Sequence, residues 1–257
     1  MKTRTAISAS PAGRTKTPGL VGVLGGMGPL ATIDFLQKLL AATPAETDQQ
    51  HVPVITASVP QIPDRAAAFR GEGESPLPAM IESGRRLIDA GVSLIVIPCN
   101  TAHLWYDPLQ EALAIPMIHL VDAALDDVSA VVGNSGRVGL LATDATIASG
   151  LYPDRNQNEG RSLEWVLPTD SEMADWVMPG IHAVKSGNKS LGEELLSKAA
   201  AALARREAQA VLLGCTEIPV VLNNGNSPVP VVDATDSLAR RSVAWSIDAR
   251  NQPRTGG

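Results

Sequence analysis

Ser93-Leu94-Ile95-Val96-Ile97-Pro98-Cys99-Asn100-Thr101-Ala102-His103 and Ala210-Val211-Leu212-Leu213-Gly214-Cys215-Thr216-Glu217 decide the fold. Each begins as an unbroken aliphatic run, reaches a cysteine, and continues into polar residues that include a threonine. A short run that is apolar throughout is expected of a strand covered by helices on both faces. The cysteine then falls at the carboxyl end of that strand, which is where ligands of open α/β sheets bind.

Working outward, the flanking sequence repeats. Val21-Gly22-Val23-Leu24 matches Val138-Gly139-Leu140-Leu141 at an offset of 117 positions. Cys99 matches Cys215 at an offset of 116, and Ile115-Pro116-Met117-Ile118 matches Val229-Pro230-Val231-Val232 at 114. Three anchors in order at a nearly constant offset indicate two copies of one α/β unit. Strands are expected at 20–24, 52–58, 93–98 and 116–119, and again at 137–142, 163–167, 210–214 and 229–232. Helices are expected at 29–42, 76–90, 102–113, 121–132, 145–155, 171–187, 190–207, 216–223 and 235–248. Such alternation predicts parallel sheets built from βαβ units. Duplicated units of this kind face each other across a cleft, so Cys99 and Cys215 are expected to meet at one site.

Composition narrows the classes. Aromatic residues make up only 3% of the 257 residues, so aliphatic side chains must build the core. The net charge of −6 and the lack of a basic stripe argue against nucleic acid as a partner. An anionic ligand would need a locally built site of Arg, Lys or backbone N–H groups. Residues 1–17 are basic and rich in Ser, Thr and Ala, and read as a disordered tail rather than a signal peptide. No later stretch is long and apolar enough to span a membrane, so the expected location is cytoplasmic.

Two cysteines are too few for a disulfide scaffold, and a disulfide would not suit a reducing compartment. Zinc is disfavoured because Cys99 and His103 give one Cys-x-x-x-His pair and no second set. A lone free cysteine is usually a small buried hydrophobe. Two at matching places of a duplication instead suggest a pair of opposed acid/base groups, whose ordinary pKa lies near the working range. Inversion at an α-carbon needs a base on one face and an acid on the other. Both thiols are expected at strand-to-helix turns, where backbone N–H groups and the helix dipole would lower their pKa. Nearby Asn and Thr side chains could cap the helix, bond the thiolate or bind a carboxylate.

The stretch Gly25-Gly26-Met27-Gly28-Pro29-Leu30-Ala31 contains G-x-G-x-x-A. A dinucleotide site would need an acidic residue at the end of the second strand, but Asp48 precedes that strand. The loop is therefore read as a close-approach anion cradle, with Pro29 at the first position of a helix.

Four segments together carry a resemblance: Leu24 to Thr32, Pro60-Gln61-Ile62-Pro63-Asp64-Arg65, Pro98 to His103, and Gly214-Cys215-Thr216-Glu217. They resemble the aspartate/glutamate racemase superfamily, and within it the aspartate racemase branch, over about residues 19 to 248. The resemblance implies two pseudo-symmetric Rossmann-like (flavodoxin-like) domains with parallel sheets and the active site in the cleft between them. The domains would be 18–120, completed by the C-terminal helix at about 233–250, and 121–232. It implies no pyridoxal phosphate or other cofactor, no metal, a small amino-acid substrate and a homodimer. Cys99 and Cys215 take the place of the catalytic thiols. Arg65 and Lys185 take the place of the clamp on the substrate's side-chain carboxylate. The α-carboxylate falls to Asn100, Thr101, Thr216 and the Met27-Gly28 loop, and Thr143 joins this substrate-binding set. His103 and Glu217 are supporting residues: His103 would orient Cys99 or cover a helical turn, and Glu217 would polarise Cys215, cap a turn or hold the α-ammonium. His51, His119 and His182 are expected to be structural.

Glutamate racemases carry an Asp-Ser-Gly type loop and a His after the second Cys-Thr, whereas this chain has Gly-Gly-Met-Gly and Glu217. That favours aspartate or a broader range. Two alternatives stay open: a cis–trans isomerase of an unsaturated dicarboxylate such as maleate, and a non-catalytic amino-acid-binding protein. The related decarboxylases use one cysteine, which the intact pair disfavours.

Overall fold

A computed structural model describes residues 17–158 and 160–252. The expected tail lies outside these residues apart from Thr17. That residue is tied down, because its carbonyl accepts from Leu20 N–H at 3.1 Å and from Ser93 Oγ at 2.9 Å.

Two parallel sheets form, as the sequence predicts. The first contains β1 (Val21–Gly25), β2 (Val54–Ser58) and β3 (Leu94–Val96) in the order β2-β1-β3. The second contains β4 (Arg137–Leu141), β5 (Glu164–Val166), β6 (Ala210–Leu213) and β7 (Val231–Asp233) in the order β5-β4-β6-β7. The registers correspond: Val21 pairs with Leu94, and Val138 pairs with Ala210.

The strand expected at 116–119 is reduced to one bridge between Ile95 and Met117. Even so, Ile95 N–H donates to Pro116 O at 3.0 Å, as Val211 N–H does to Pro230 O at 2.9 Å. On the other side of β3, the ladder to β1 is one pair shorter than that of β6 to β4, because Pro98 has no N–H to give. Its counterpart Gly214 donates to Leu141 O at 2.7 Å and extends the ladder.

The helices depart from expectation where local chemistry intervenes. α1 (Pro29–Ala42) begins at its proline. α2 (Arg65–Phe69) was not expected as a helix; Asp64 caps it by accepting Ala67 N–H at 2.7 Å. α3 (Leu77–Asp89) follows. The helix expected at 102–113 divides into a 3-10 turn, Thr101–Trp105, and α4 (Tyr106–Leu113). α5 (Leu120–Val132) leads into the second half. The helix expected at 145–155 divides into α6 (Asp144–Ala148) and α7 (Leu151–Asn158) at Gly150, whose φ of +70° suits glycine. The one at 171–187 becomes α8 (Asp170–Glu172), a π turn (Met173–Val177) and α9 (Met178–Lys185). The π turn ends two residues before Pro179, which cannot donate to the helical ladder. α10 (Lys189–Arg205) and α11 (Ala234–Asn251) are long and regular. The helix expected at 216–223 shrinks to a 3-10 turn at Ile218–Val220, because Pro219 and Asn223-Asn224-Gly225 stop it.

The final helix of each half packs against the other half. α11 follows the second sheet but packs on α1, and Ser246 Oγ donates to Gly19 O at 2.7 Å. α5 follows the first sheet but packs on α7, and α5 and α11 pack on each other. One core cluster therefore draws Val21, Phe35 and Leu120 together with Leu140, Leu212 and Leu238. Each such fully buried side chain contributes about 1.5–3 kcal/mol of transfer energy, which holds the two sheets in a fixed relation. Among the described residues no helix is long and apolar enough to cross a membrane.

Candidate active site

The carboxyl ends of β1, β3 and β6 converge on a small cavity of about 40 Å³. Met27, Arg65, Cys99, Asn100, Thr101, Thr143, Lys185, Cys215, Thr216 and Glu217 all line it. Gly28 lines an adjoining vestibule, which shares Asp64, Arg65, Lys185 and Glu217 with the inner cavity. His103 lines neither.

Both cysteines are free and buried, 6% and 5% exposed. Neither stands at an α-helix N-terminus, since a 3-10 turn follows each. The expected lowering of their pKa is therefore not found. Burial pushes the Cys99 thiol up, against opposition from Arg65, the Ala102 N–H and Lys185. Burial pushes Cys215 up further, and the neighbouring Glu217 carboxylate adds to it. The Cys215 Sγ–H donates to Glu217 Oε2 at 3.0 Å. Of the roles open to Glu217, contact with Cys215 is made, and no side-chain cap of the following turn is.

His103 acts on the backbone, not on the thiol. Leu120 N–H donates to its Nε2 at 3.1 Å, so the ring proton sits on Nδ1 and donates to Cys99 O at 2.8 Å. Burial holds this imidazole at a pKa of about 4, and it is neutral.

Arg65 opens α2, and its Nη1 donates to Ile62 O at 3.1 Å and Pro63 O at 3.0 Å. Its Nε is buried without a partner. Lys185 ends α9. Burial works against its ammonium, but Glu217, Cys215 and Cys99 outweigh it and raise its pKa. One N–H of the glycine loop is committed to the fold. Gly26 N–H is already taken by Thr32 Oγ1 at 2.9 Å, and Thr32 Oγ1 donates to Gly28 O at 2.9 Å.

Two residues escaped sequence reasoning. Tyr152, wholly buried on α7, donates to Asn100 Oδ1 at 2.5 Å. Asn100 Nδ2 is left buried and unpartnered. Thr146 bonds Thr101 Oγ1 at 2.9 Å and Thr143 Oγ1 at 3.0 Å, stitching the halves beside the cavity. The Thr143-x-x-Thr146 spacing signals a helix cap, since Thr143 Oγ1 accepts from Thr146 N–H, but nothing local signals Tyr152. Among the described residues no cluster of three or more His, Cys, Asp or Glu is arranged to hold a metal ion.

The family model for Asp/Glu/hydantoin racemases matches residues 24–241. The chain belongs to that family. An aspartate racemase from Picrophilus torridus superposes with a TM-score of 0.78 at 31% identity, covering 88% of this chain and 94% of its own. The broad specificity amino-acid racemase RacX of Bacillus subtilis is 28% identical over 236 residues, 88% of this chain and 97% of its own. A Francisella tularensis glutamate racemase, solved with D-glutamate, shares the fold with a TM-score of 0.60 at 20% identity, over 92% of this chain and 84% of its own. The family expected from the motifs, the two-sheet α/β fold and the enzyme class of amino-acid racemase are thereby borne out.

Proposed function

We propose that the protein interconverts the enantiomers of an acidic amino acid, aspartate first, by proton exchange with Cys99 on one face and Cys215 on the other. The observation that carries this reading is that both thiols line one cavity together with two cationic side chains, Arg65 and Lys185. The cations receive the side-chain carboxylate. The α-carboxylate is taken by the unpartnered Asn100 Nδ2, by the Thr101, Thr143 and Thr216 hydroxyls, and by backbone of Met27 and Gly28. Such groups also stabilise the charge that develops as the α-proton leaves. One sulfur enters as thiolate and takes that proton; the other, as thiol, delivers its own to the opposite face. These steps use the chain's own residues and require no cofactor.

The test is direct. Purified protein in D2O with L-aspartate, without added cofactor, should yield the D-enantiomer and deuterium at the α-carbon. Chiral chromatography and NMR read both. Cys99→Ser and Cys215→Ser should each lower racemisation by about 10²–10⁴-fold, the usual range for an acid/base group. Undiminished racemisation in the double variant would overturn the reading.

A further inference from the structure

Cys99 and Cys215 are equally buried, but their surroundings differ. Among the described residues no side chain hydrogen-bonds to the Cys99 sulfur, and Cys99 lines only the inner cavity. Cys215 donates to Glu217 Oε2 at 3.0 Å. Glu217 is only 4% exposed, yet it lines both the inner cavity and the vestibule. Its other oxygen faces Gly28: a Cβ on that residue would stand 3.3 Å from Oε1. Gly28 belongs to the vestibule wall, beside the solvent-exposed Pro29 and Pro60. One carboxylate thus has one oxygen on the thiol and the other toward the vestibule. The charged groups that share both cavities with it are Asp64, Arg65 and Lys185.

This arrangement matters because two-thiol exchange leaves the enzyme in the opposite protonation form. After one turnover, the thiol that gave its proton is a thiolate and the thiolate that took one is a thiol. A second turnover in the same direction requires the forms to interconvert once product has left. We propose that Glu217 is the proton port of Cys215 and carries its side of this interconversion. The S–H bond breaks as an O–H bond forms at Oε2. Rotation about the last carbon–carbon bond turns that O–H to the vestibule, where solvent takes the proton and the carboxylate is restored. The reverse sequence reprotonates the thiolate. Glu217 acts through Cys215 and is a positioning and relay residue.

The proposal rests on the two-thiol reading, and its test separates the two. Full-length native protein, Glu217→Gln and Glu217→Asp are compared in single-turnover racemisation of aspartate with enzyme in excess, and in steady state at saturating aspartate. Glutamine preserves size and hydrogen bonding but carries no proton. In Glu217→Gln the ratio of steady-state to single-turnover rate should fall about tenfold or more, within the span of one acid/base group. Excess unlabelled substrate should also displace a labelled equilibrium mixture at lower aspartate concentration. Glu217→Asp should restore part of the ratio. Gly28→Ala is the second variant: its methyl closes on Oε1 without removing the carboxyl, and it should shift the ratio the same way. An unchanged ratio in both Glu217→Gln and Gly28→Ala, or an equal loss in both assays, overturns the relay. Racemisation surviving in the Cys99→Ser, Cys215→Ser double variant overturns the two-thiol reading instead.

Discussion

Tyr152 of the second half donates its phenol hydrogen to Asn100 Oδ1 of the first half at 2.5 Å. The bond joins α7 to the residue after Cys99, so the position of one thiol depends on packing in the opposite half. Tyr152→Phe leaves Asn100 Oδ1 buried without this donor. The expected loss is about 1–3 kcal/mol of unfolding free energy, measured by urea titration, with a concurrent fall in racemisation. Native-like stability would show that the bond contributes little.

Arg65 and Lys185 should act on acidic substrates selectively. Removing a charged hydrogen bond is worth about 1.5–3 kcal/mol, so Arg65→Ala and Lys185→Ala should each raise KM for aspartate roughly 10- to 100-fold. A neutral amino acid should be much less affected. Arg65→Lys should not rescue, because a lysine cannot hold the Ile62 and Pro63 carbonyls while presenting a second N–H edge. Equal effects on acidic and neutral substrates would remove the clamp from the account.

The raised thiols set the pH dependence. The proposed two-thiol exchange requires one ionised sulfur, and burial lifts both above the ordinary cysteine value. The kcat/KM for aspartate should therefore climb from neutral into alkaline pH. Lys185 opposes the rise at both thiols, so Lys185→Met should move the limb to higher pH. A pH–rate profile that is flat from neutrality upward would contradict this.

His103 should make the fold acid-labile. Burial lowers its pKa from 6.5 to about 4, and it must stay neutral to accept Leu120 N–H. The unfolded chain then binds a proton that the folded chain does not. Stability is full above pH 6.5 and falls as pH drops toward 4, at a limiting slope of about 1.4 kcal/mol per pH unit for one proton. His119, lowered by burial to about 2, acts in the same direction. His103→Gln should lower stability at neutral pH and reduce the slope by about one proton, read from denaturant midpoints between those pH values.

Gly26 should tolerate no side chain. Its φ is +94°, and a Cβ would lie 2.4 Å from Val59 N. The backbone conformation alone would cost Gly26→Ala about 1–3 kcal/mol, and the overlap with fixed backbone adds to it. Loss of Tm and of activity together is the expected outcome, seen by calorimetry and assay.

What could be read from sequence was what depends on near neighbours. The aliphatic runs before Cys99 and Cys215 specify buried parallel strands wherever they are placed, because a strand covered on both faces must be apolar throughout. The repeat offsets placed both thiols at the same point of two like units, and the family resemblance, not the spacing, singled out Arg65 and Lys185 as the cations. Local reasoning failed where distant contacts decide. Helix ends are expected to lower the thiols, but a 3-10 turn and not an α-helix follows each directly, and burial raises them instead. Pro98 against Gly214 shortened one ladder.

The sequence by itself therefore determined two parallel α/β units, the pairing of Cys99 with Cys215 and the residue types around them, since periodicity and spacing are properties of the chain alone. Only the tertiary structure decided that Tyr152 and Thr146 reach across to Asn100 and Thr101, and that Glu217 meets Cys215. Those relations arise from which surfaces are buried together, and desolvation and hydrogen-bond partnership exist only once the chain has closed on itself.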